Sequence, residues 1–215
     1  MAIGVDFDNT IVCYDELFHR LAVEQGLIPT TVLATKREVR NYLERCGRGK
    51  VWTVLQGRVY GVDLLLARAF PGVLNFFRSC VRSGESVYII SHKTRYPALG
   101  PPHDLHQAAH RWLEANGFYD PAQIGLSRNH VYFELSQQAK VVRIAQVGCS
   151  FFIDDLPGVL TDPEFPVQAQ RILFDPHQQF GGDGSTNGDR AGGRLRYAAS
   201  WKEIERLIRC SELPS

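Results

Sequence analysis

The sequence predicts an α/β fold: a doubly wound parallel sheet carrying a small helical insert. Three observations predict it. Short apolar runs rich in β-branched and aromatic residues recur along the chain. Helical patterns punctuated by proline and glycine separate them. One gap, between the first run and the second, is too long for a single crossover and is helical in pattern.

The apolar runs are "AIGVDF" (2–7), "SVYIIS" (86–91), "HVYFE" (130–134), "SFFIDD" (150–155) and "RILFD" (171–175). They are continuous rather than alternating, as parallel strands covered on both faces should be. "PGVLNFFRSCVRSG" (71–84) has a proline where a first helical turn tolerates one and closes at Gly84 after basic residues. "DLHQAAHRWLEANG" (104–117) puts Leu105, Ala108, Ala109, Trp112 and Leu113 on one face. "AKVVRIAQVG" (139–148) reads as a short helix feeding the fourth run, and "SWKEIERLIR" (200–209) as a terminal helix docked on the sheet. This β/α alternation implies right-handed crossovers in an open sheet.

In the long gap, "DELFHRLAVEQGLIP", "TKREVRNYLERCG" and "VYGVDLLLARAF" all read as helical. The middle segment spaces Val39, Tyr42, Leu43 and Cys46 at i, i+3, i+4, i+7, with Gly47 placed to end the helix. The expected organisation is therefore a core of residues 1–13 and 69–215 with a helical cap at 14–68. "GGDGSTNGDRAGG" (181–193) reads as a surface loop, because it holds too little apolar material to order itself.

Composition narrows the function. The chain of 215 residues is long enough for one domain with an insert. With 24 Lys+Arg against 23 Asp+Glu, it has no basic field for nucleic acid. No apolar run reaches membrane-spanning length, and "MAIGV" lacks the basic start of a signal peptide. Cys13, Cys46, Cys80, Cys149 and Cys210 are scattered without a CxxC pair, which reads as reduced thiols in a cytoplasmic protein.

In an open parallel sheet, ligands bind beyond the carboxyl ends of the strands. Here those ends are polar. The first run ends in "DFDNT", which places Asp6 and Asp8 one residue apart. Alone, that segment reads as a solvated turn. The second run ends at Ser91, which could also cap a helix, followed by His92 and Lys93. The fourth ends at Asp154 and Asp155. Lys140 lies in the helix before it and has no local signature separating it from a solvated lysine.

This set, in this order, resembles the four motifs of the haloacid-dehalogenase-like superfamily, whose members are mostly phosphatases: "DFDNT", Ser91 in "YIISHKT", Lys140, and "FFIDD". The insert after the first motif is similar to that superfamily's cap. The resemblance implies a Rossmann-like core and a Mg²⁺-dependent phosphomonoester hydrolase working through an aspartyl-phosphate. Asp6 would be the nucleophile and Asp8 the acid–base group. Asp6, Asp8 (through its carbonyl), Asp154 and Asp155 would hold the metal. Thr10, Ser91 and Lys140 would serve the phosphate site.

The residue types suit that chemistry. An anionic nucleophile approaching a phosphate at ~4 Å meets repulsion of about 4 kcal/mol at an effective dielectric of 20, which a dication offsets. Asp8 separates phosphoryl from carbon–halogen cleavage: a halide leaves without a proton, whereas an alkoxide needs one. The expected substrate is a small phosphorylated metabolite, met without nucleic acid or membrane. Transfer to an acceptor other than water, or a non-enzymatic phospho-accepting module, are the competing readings. The helical insert and the motif order favour the enzyme.

Asn9, His92, Lys93, Arg58 and Tyr60 are candidate substrate contacts, with Trp52 and Gln56 beside the last two in sequence. His103, His106 and His110 share one helix edge, read as solvated or substrate-facing because further zinc ligands are lacking nearby. "CGRGK" (46–50) has the wrong spacing for a phosphate loop.

Overall fold

The computed structural model describes residues 1–180 and 195–211. The Gly-rich segment at 181–193 lies outside the described residues. The sheet strands are β1 (Ala2–Val5), β4 (Ser86–His92), β5 (Val131–Glu134), β6 (Phe151–Asp154), β7 (Gln170–Phe174) and β8 (Leu195–Ala198), with β2 (Val12–Cys13) and β3 (Arg68–Ala69) forming a separate two-stranded pair. The helices are α1 (Asp15–Glu24), α2 (Lys36–Arg45), α3 (Gly49–Tyr60), α4 (Val73–Arg82), α5 (Leu105–Ala115), α6 (Gln137–Val147), α7 (Pro157–Leu160) and α8 (Trp201–Cys210). No helix among the described residues is long and apolar enough to cross a membrane.

The sheet order is β5-β4-β1-β6-β7-β8, and the strands are parallel throughout. Aromatic packing of Phe76, Phe77, Phe174 and Trp201 joins α4 and α8 to one face. On the other, Ile144, Phe152, Val159, Phe165 and Leu173 bury α6 and α7. Covering both faces removes the polar alternation an exposed sheet would show, hence the continuous apolar runs. Gly4, in central β1, is required by close packing: a Cβ there would stand 2.5 Å from the Phe152 ring.

The chain divides into two compact units. One comprises Met1–Ile11, Ala69–His92 and the chain from Phe118 onward; the other comprises Val12–Arg68 and Lys93–Gly117. The helical unit thus takes in Lys93–Gly117 together with Val12–Arg68. Its cause is tertiary: Trp112 of α5 is fully buried, and its indole N–H donates to the Ala67 carbonyl at 2.9 Å. Within this unit Leu17, Phe18, Leu21, Val39, Leu43, Trp52, Leu55 and Val59 form the core.

Helix ends follow local chemistry. Thr35, Asp104, Ser136 and Ser200 accept the N–H three residues on, at the starts of α2, α5, α6 and α8. Three expectations are corrected. "VYGVDLLLARAF" is not a helix: α3 stops at Gly61, and only a 3₁₀ turn forms at Leu64–Leu66, with Leu65 and Leu66 exposed. Pro71 lies outside α4, which starts after Gly72 in a left-handed conformation (φ +92°). Ser91 caps no helix, because β4 runs on to His92.

Candidate active site

Strand register brings the predicted residues together. Val5 is level with Ile89 and Ile153, so Asp6 follows β1 beside the end of β6, where its N–H donates to the Ile153 carbonyl at 2.9 Å. Ser91 stands near the end of β4 on the opposite side of β1, about 4.8 Å per strand across the sheet. Three neighbouring carboxyl ends thus carry Asp6, Ser91 and Asp154.

Lys140 joins them. Ser136 sets the start of α6 by accepting the Ala139 N–H at 3.1 Å, and this puts Lys140 in the first turn with only 2% of its surface exposed. Its Nζ donates to Asp6 Oδ1 at 2.5 Å and to Asp154 Oδ2 at 2.6 Å. Asp6 is 4% exposed and Asp154 not at all. The other Asp154 oxygen accepts the Leu156 N–H at 2.9 Å. Burial of this kind requires paired charges, so the solvated reading of Lys140 is excluded.

Burial pushes the Asp6 carboxyl up from its ordinary 3.8 to about 7; Lys140 pulls against this, while Asp154 and Asp8 add to it. Burial also works against the Lys140 ammonium, but Asp154 and Asp6 outweigh it and hold the lysine protonated well above its usual range. The cluster therefore holds one firm cation among more acid groups than it can neutralise.

Carboxylate oxygens of Asp6, Asp154 and Asp155 lie within 4.8 Å of one another. Among the described residues this is the one group of three or more metal-capable side chains. Hard oxygen donors so arranged fit Mg²⁺ or a similar cation. Ser91 Oγ is buried without a hydrogen-bond partner. An orphaned hydroxyl of this kind costs about 1–3 kcal/mol, and it matches a donor awaiting an anion.

The turn that carries Asp6 and Asp8 is tightly tied. Asn9 takes a left-handed φ of +58°, the Ile11 N–H returns to the Phe7 carbonyl at 3.1 Å, and Thr10, fully buried, points its hydroxyl at Asp155 Oδ1 at 3.5 Å. The Thr10 carbonyl accepts the Trp201 indole N–H at 3.2 Å. Sequence pattern marks Trp201 only as the start of a terminal helix; nothing in it signals this bond.

The other candidates are placed as follows. His92 is exposed at the end of β4. In the helical unit, Arg58 pairs with Asp63 at 2.5 Å. Tyr60 packs edge-on against Tyr14 and Phe18, with Lys93 and Lys36 ammonium groups 5.0 and 5.6 Å from its ring centre. Lys93 is 4% exposed. Trp52 is core, packed at a tilt against Phe18 with ring centres 4.8 Å apart. Of the three histidines, His106 bonds through Nε2 to the Lys93 carbonyl at 2.7 Å. Cys46, Gly47 and Arg48 of "CGRGK" separate α2 from α3, which begins at Gly49.

No protein-family model matches the sequence, and no curated protein matches it significantly. Solved structures do match. A HAD family hydrolase from Deinococcus radiodurans R1, with bound phosphate and sodium, is 18% identical with a TM-score of 0.58, covering 98% of this chain and 95% of its own. A haloacid dehalogenase-like family hydrolase from Xanthomonas campestris is 12% identical (TM-score 0.53; 98% and 96% covered). A phosphoserine phosphohydrolase-like protein from Francisella tularensis subsp. tularensis SCHU S4 is 12% identical (TM-score 0.51; 96% and 99% covered). The sheet order, the site at its carboxyl edge and these likenesses agree: the chain has the fold of the haloacid-dehalogenase-like hydrolases.

Proposed function

We propose that the chain is a phosphomonoester hydrolase of the haloacid-dehalogenase-like superfamily, dependent on Mg²⁺ and acting on a small phosphorylated metabolite. One observation carries the reading: a buried lysine bridges Asp6 and Asp154 at the carboxyl ends of adjacent parallel strands. A receptor for a neutral ligand would have no use for so much opposed charge.

In this reading Asp6 attacks phosphorus and the bond to the leaving oxygen breaks, while Asp8 gives that oxygen a proton. Asp8 then takes a proton from the water that attacks the aspartyl-phosphate, which releases phosphate and restores Asp6. Lys140 holds Asp6 in line, and the Ser91 hydroxyl donates to a phosphoryl oxygen. Asp6, Asp154, Asp155 and the Asp8 carbonyl would hold a dication, which offsets the repulsion between carboxylate and phosphate. A carboxylic acid at residue 8 is superfluous to halide release, so Asp8 favours phosphoryl chemistry. Substrate choice is assigned to the helical unit, with Arg58 and Tyr60 as its first candidates.

The test is phosphate release across a panel of phosphomonoesters. EDTA should abolish it, Mg²⁺ restore it, and Ca²⁺ restore it poorly, because its looser coordination misplaces Asp6. Full activity in verified metal-free protein would overturn the metal assignment. Mg²⁺ at ~100 times its Kd should stabilise the fold by about 2.7 kcal/mol, or roughly 5–10 °C in Tm. This shift should depend on pH. In metal-free protein the raised Asp6 pKa makes the folded chain bind more protons than the unfolded one between 3.8 and about 7. That contribution is fully present below the lower value and is lost as pH rises through the higher. Mg²⁺ competes with that proton, so its Tm shift should be small near pH ~5 and full above pH ~7. A pH-independent shift would place the cation elsewhere.

A further inference from the structure

A buried indole N–H must find an acceptor. Trp201 is 1% exposed, and the acceptor it meets is Thr10 O at 3.2 Å, in the turn that bears Asp6 and Asp8 and 191 residues away in sequence. Thr10 is itself wholly buried, so no water replaces this bond.

The indole has little freedom. Its ring centre lies 5.0 Å from that of Phe76, 5.8 Å from Phe174 and 6.4 Å from Phe77. Gly72 leaves little room at its base, since a Cβ there would stand 3.1 Å from Trp201 Cβ. The start of α8 is pinned twice: Ser200 Oγ accepts the Glu203 N–H at 3.3 Å, and Glu203 Oε2 accepts the Ala199 N–H at 2.7 Å. Just before it, the Ala198 carbonyl accepts the Asp175 N–H at 2.8 Å, tying the end of β8 to β7. The donor is thus held by elements that carry no part of the site.

We propose that Trp201 is a positioning residue: its N–H fixes the Thr10 carbonyl and so sets the turn from which Asp6 and Asp8 reach the phosphate and the cation. The inference rests on the phosphohydrolase reading above. A tryptophan serving only as core would be replaceable by any ring that fills the space. One that positions the turn would not.

Trp201→Phe keeps most of the ring and removes the donor. Its kcat should fall about 10- to 100-fold, the range for a displacement of about 1 Å, with KM little changed. Mg²⁺ affinity measured by calorimetry should fall about 10-fold. Phe76→Leu, which loosens the same aromatic packing without removing a donor, is the control. It should lower Tm and leave Mg²⁺ affinity alone. A second measurement needs only the wild-type chain. Among the indole ¹⁵N–¹H signals of the three tryptophans, that of Trp201 should shift as Mg²⁺ is added, with the calorimetric midpoint. Trp112, bonded to the Ala67 carbonyl, should stay in place.

Equal losses of Mg²⁺ affinity and kcat in Trp201→Phe and Phe76→Leu, or a Trp201 signal that Mg²⁺ leaves unmoved, would overturn the proposal. Wild-type protein that binds Mg²⁺ but releases no phosphate would sink the hydrolase reading while calorimetry and the indole signal still decide the role of Trp201. Wild-type protein that binds no cation would end both.

Discussion

Lys140→Met is expected to be among the most damaging single changes to both stability and activity. Methionine is similar in length and apolar, so packing alone would forecast little. The charge argument forecasts otherwise. Lys140 is the cation bonded to Asp6 and Asp154, and all three are nearly or fully buried. Breaking a buried pair by removing one partner costs about 3–5 kcal/mol, here with two carboxylates left facing each other. For a chain of this size that is roughly 6–20 °C in Tm. Two features separate this from a packing defect. The loss should shrink at low pH, where a proton neutralises the Asp6 carboxyl, whose pKa burial already pushes up, and Mg²⁺ should return part of the stability. Lys140→Arg should not rescue, because a planar guanidinium cannot replace a compact ammonium between two oxygens 2.5 and 2.6 Å away. Urea melts of Lys140→Met at pH ~5 and ~8, with and without Mg²⁺, are the measurement. Stability equal to wild type at both pH values would show that the bridge does not hold the site together.

That bridge also marks the limit of what the sequence reveals. β1, β4, β6 and β7 were legible because both faces of each are covered and their apolar runs are unbroken. β8 was not: "LRYA" is four residues long, lies at the sheet edge, and has polar residues among its few apolar ones. α3 hid for another reason. It contains Gly49 and Gly57 and has no side-chain cap, so only its buried Trp52, Leu55 and Val59 show which face is inside. The three leucines at 64–66 misled in the opposite direction, since two of them are exposed. In the site, Asp6, Ser91, Asp154 and Asp155 could be expected to meet because each follows or ends a recognisable strand. Lys140 gave no local sign. Its place depends on where Ser136 starts α6 and on which strand lies beneath the first turn. The Trp201 bond to Thr10 depends on contacts spanning nearly the whole chain.

Asp6 and Asp8, one residue apart, should fail in different ways. Asp6→Asn removes the proposed nucleophile and should abolish turnover and any trapped phosphoenzyme. Asp8→Asn removes only a proton carrier, a contribution typically of about 10²- to 10⁴-fold, and the loss should depend on the leaving group. An alkyl oxygen needs a proton as its bond to phosphorus breaks, whereas a nitrophenolate leaves readily without one. On the activated ester the first step of Asp8→Asn should therefore survive, while water attack on the aspartyl-phosphate, which needs a base, slows. The expected record is a burst of nitrophenol followed by slow turnover, with acid-stable, hydroxylamine-sensitive label on Asp6. Mg²⁺ binding should largely persist, because the substitution leaves the residue 8 carbonyl in place. The turn just beyond residue 8 is fixed by the left-handed φ of Asn9 and by the buried contacts of Thr10. An equal residual rate on both kinds of ester, without a burst, would remove the acid–base role from Asp8. Label on Asp154 or Asp155 would move the nucleophile to the end of β6 and return "DFDNT" to an ordinary turn.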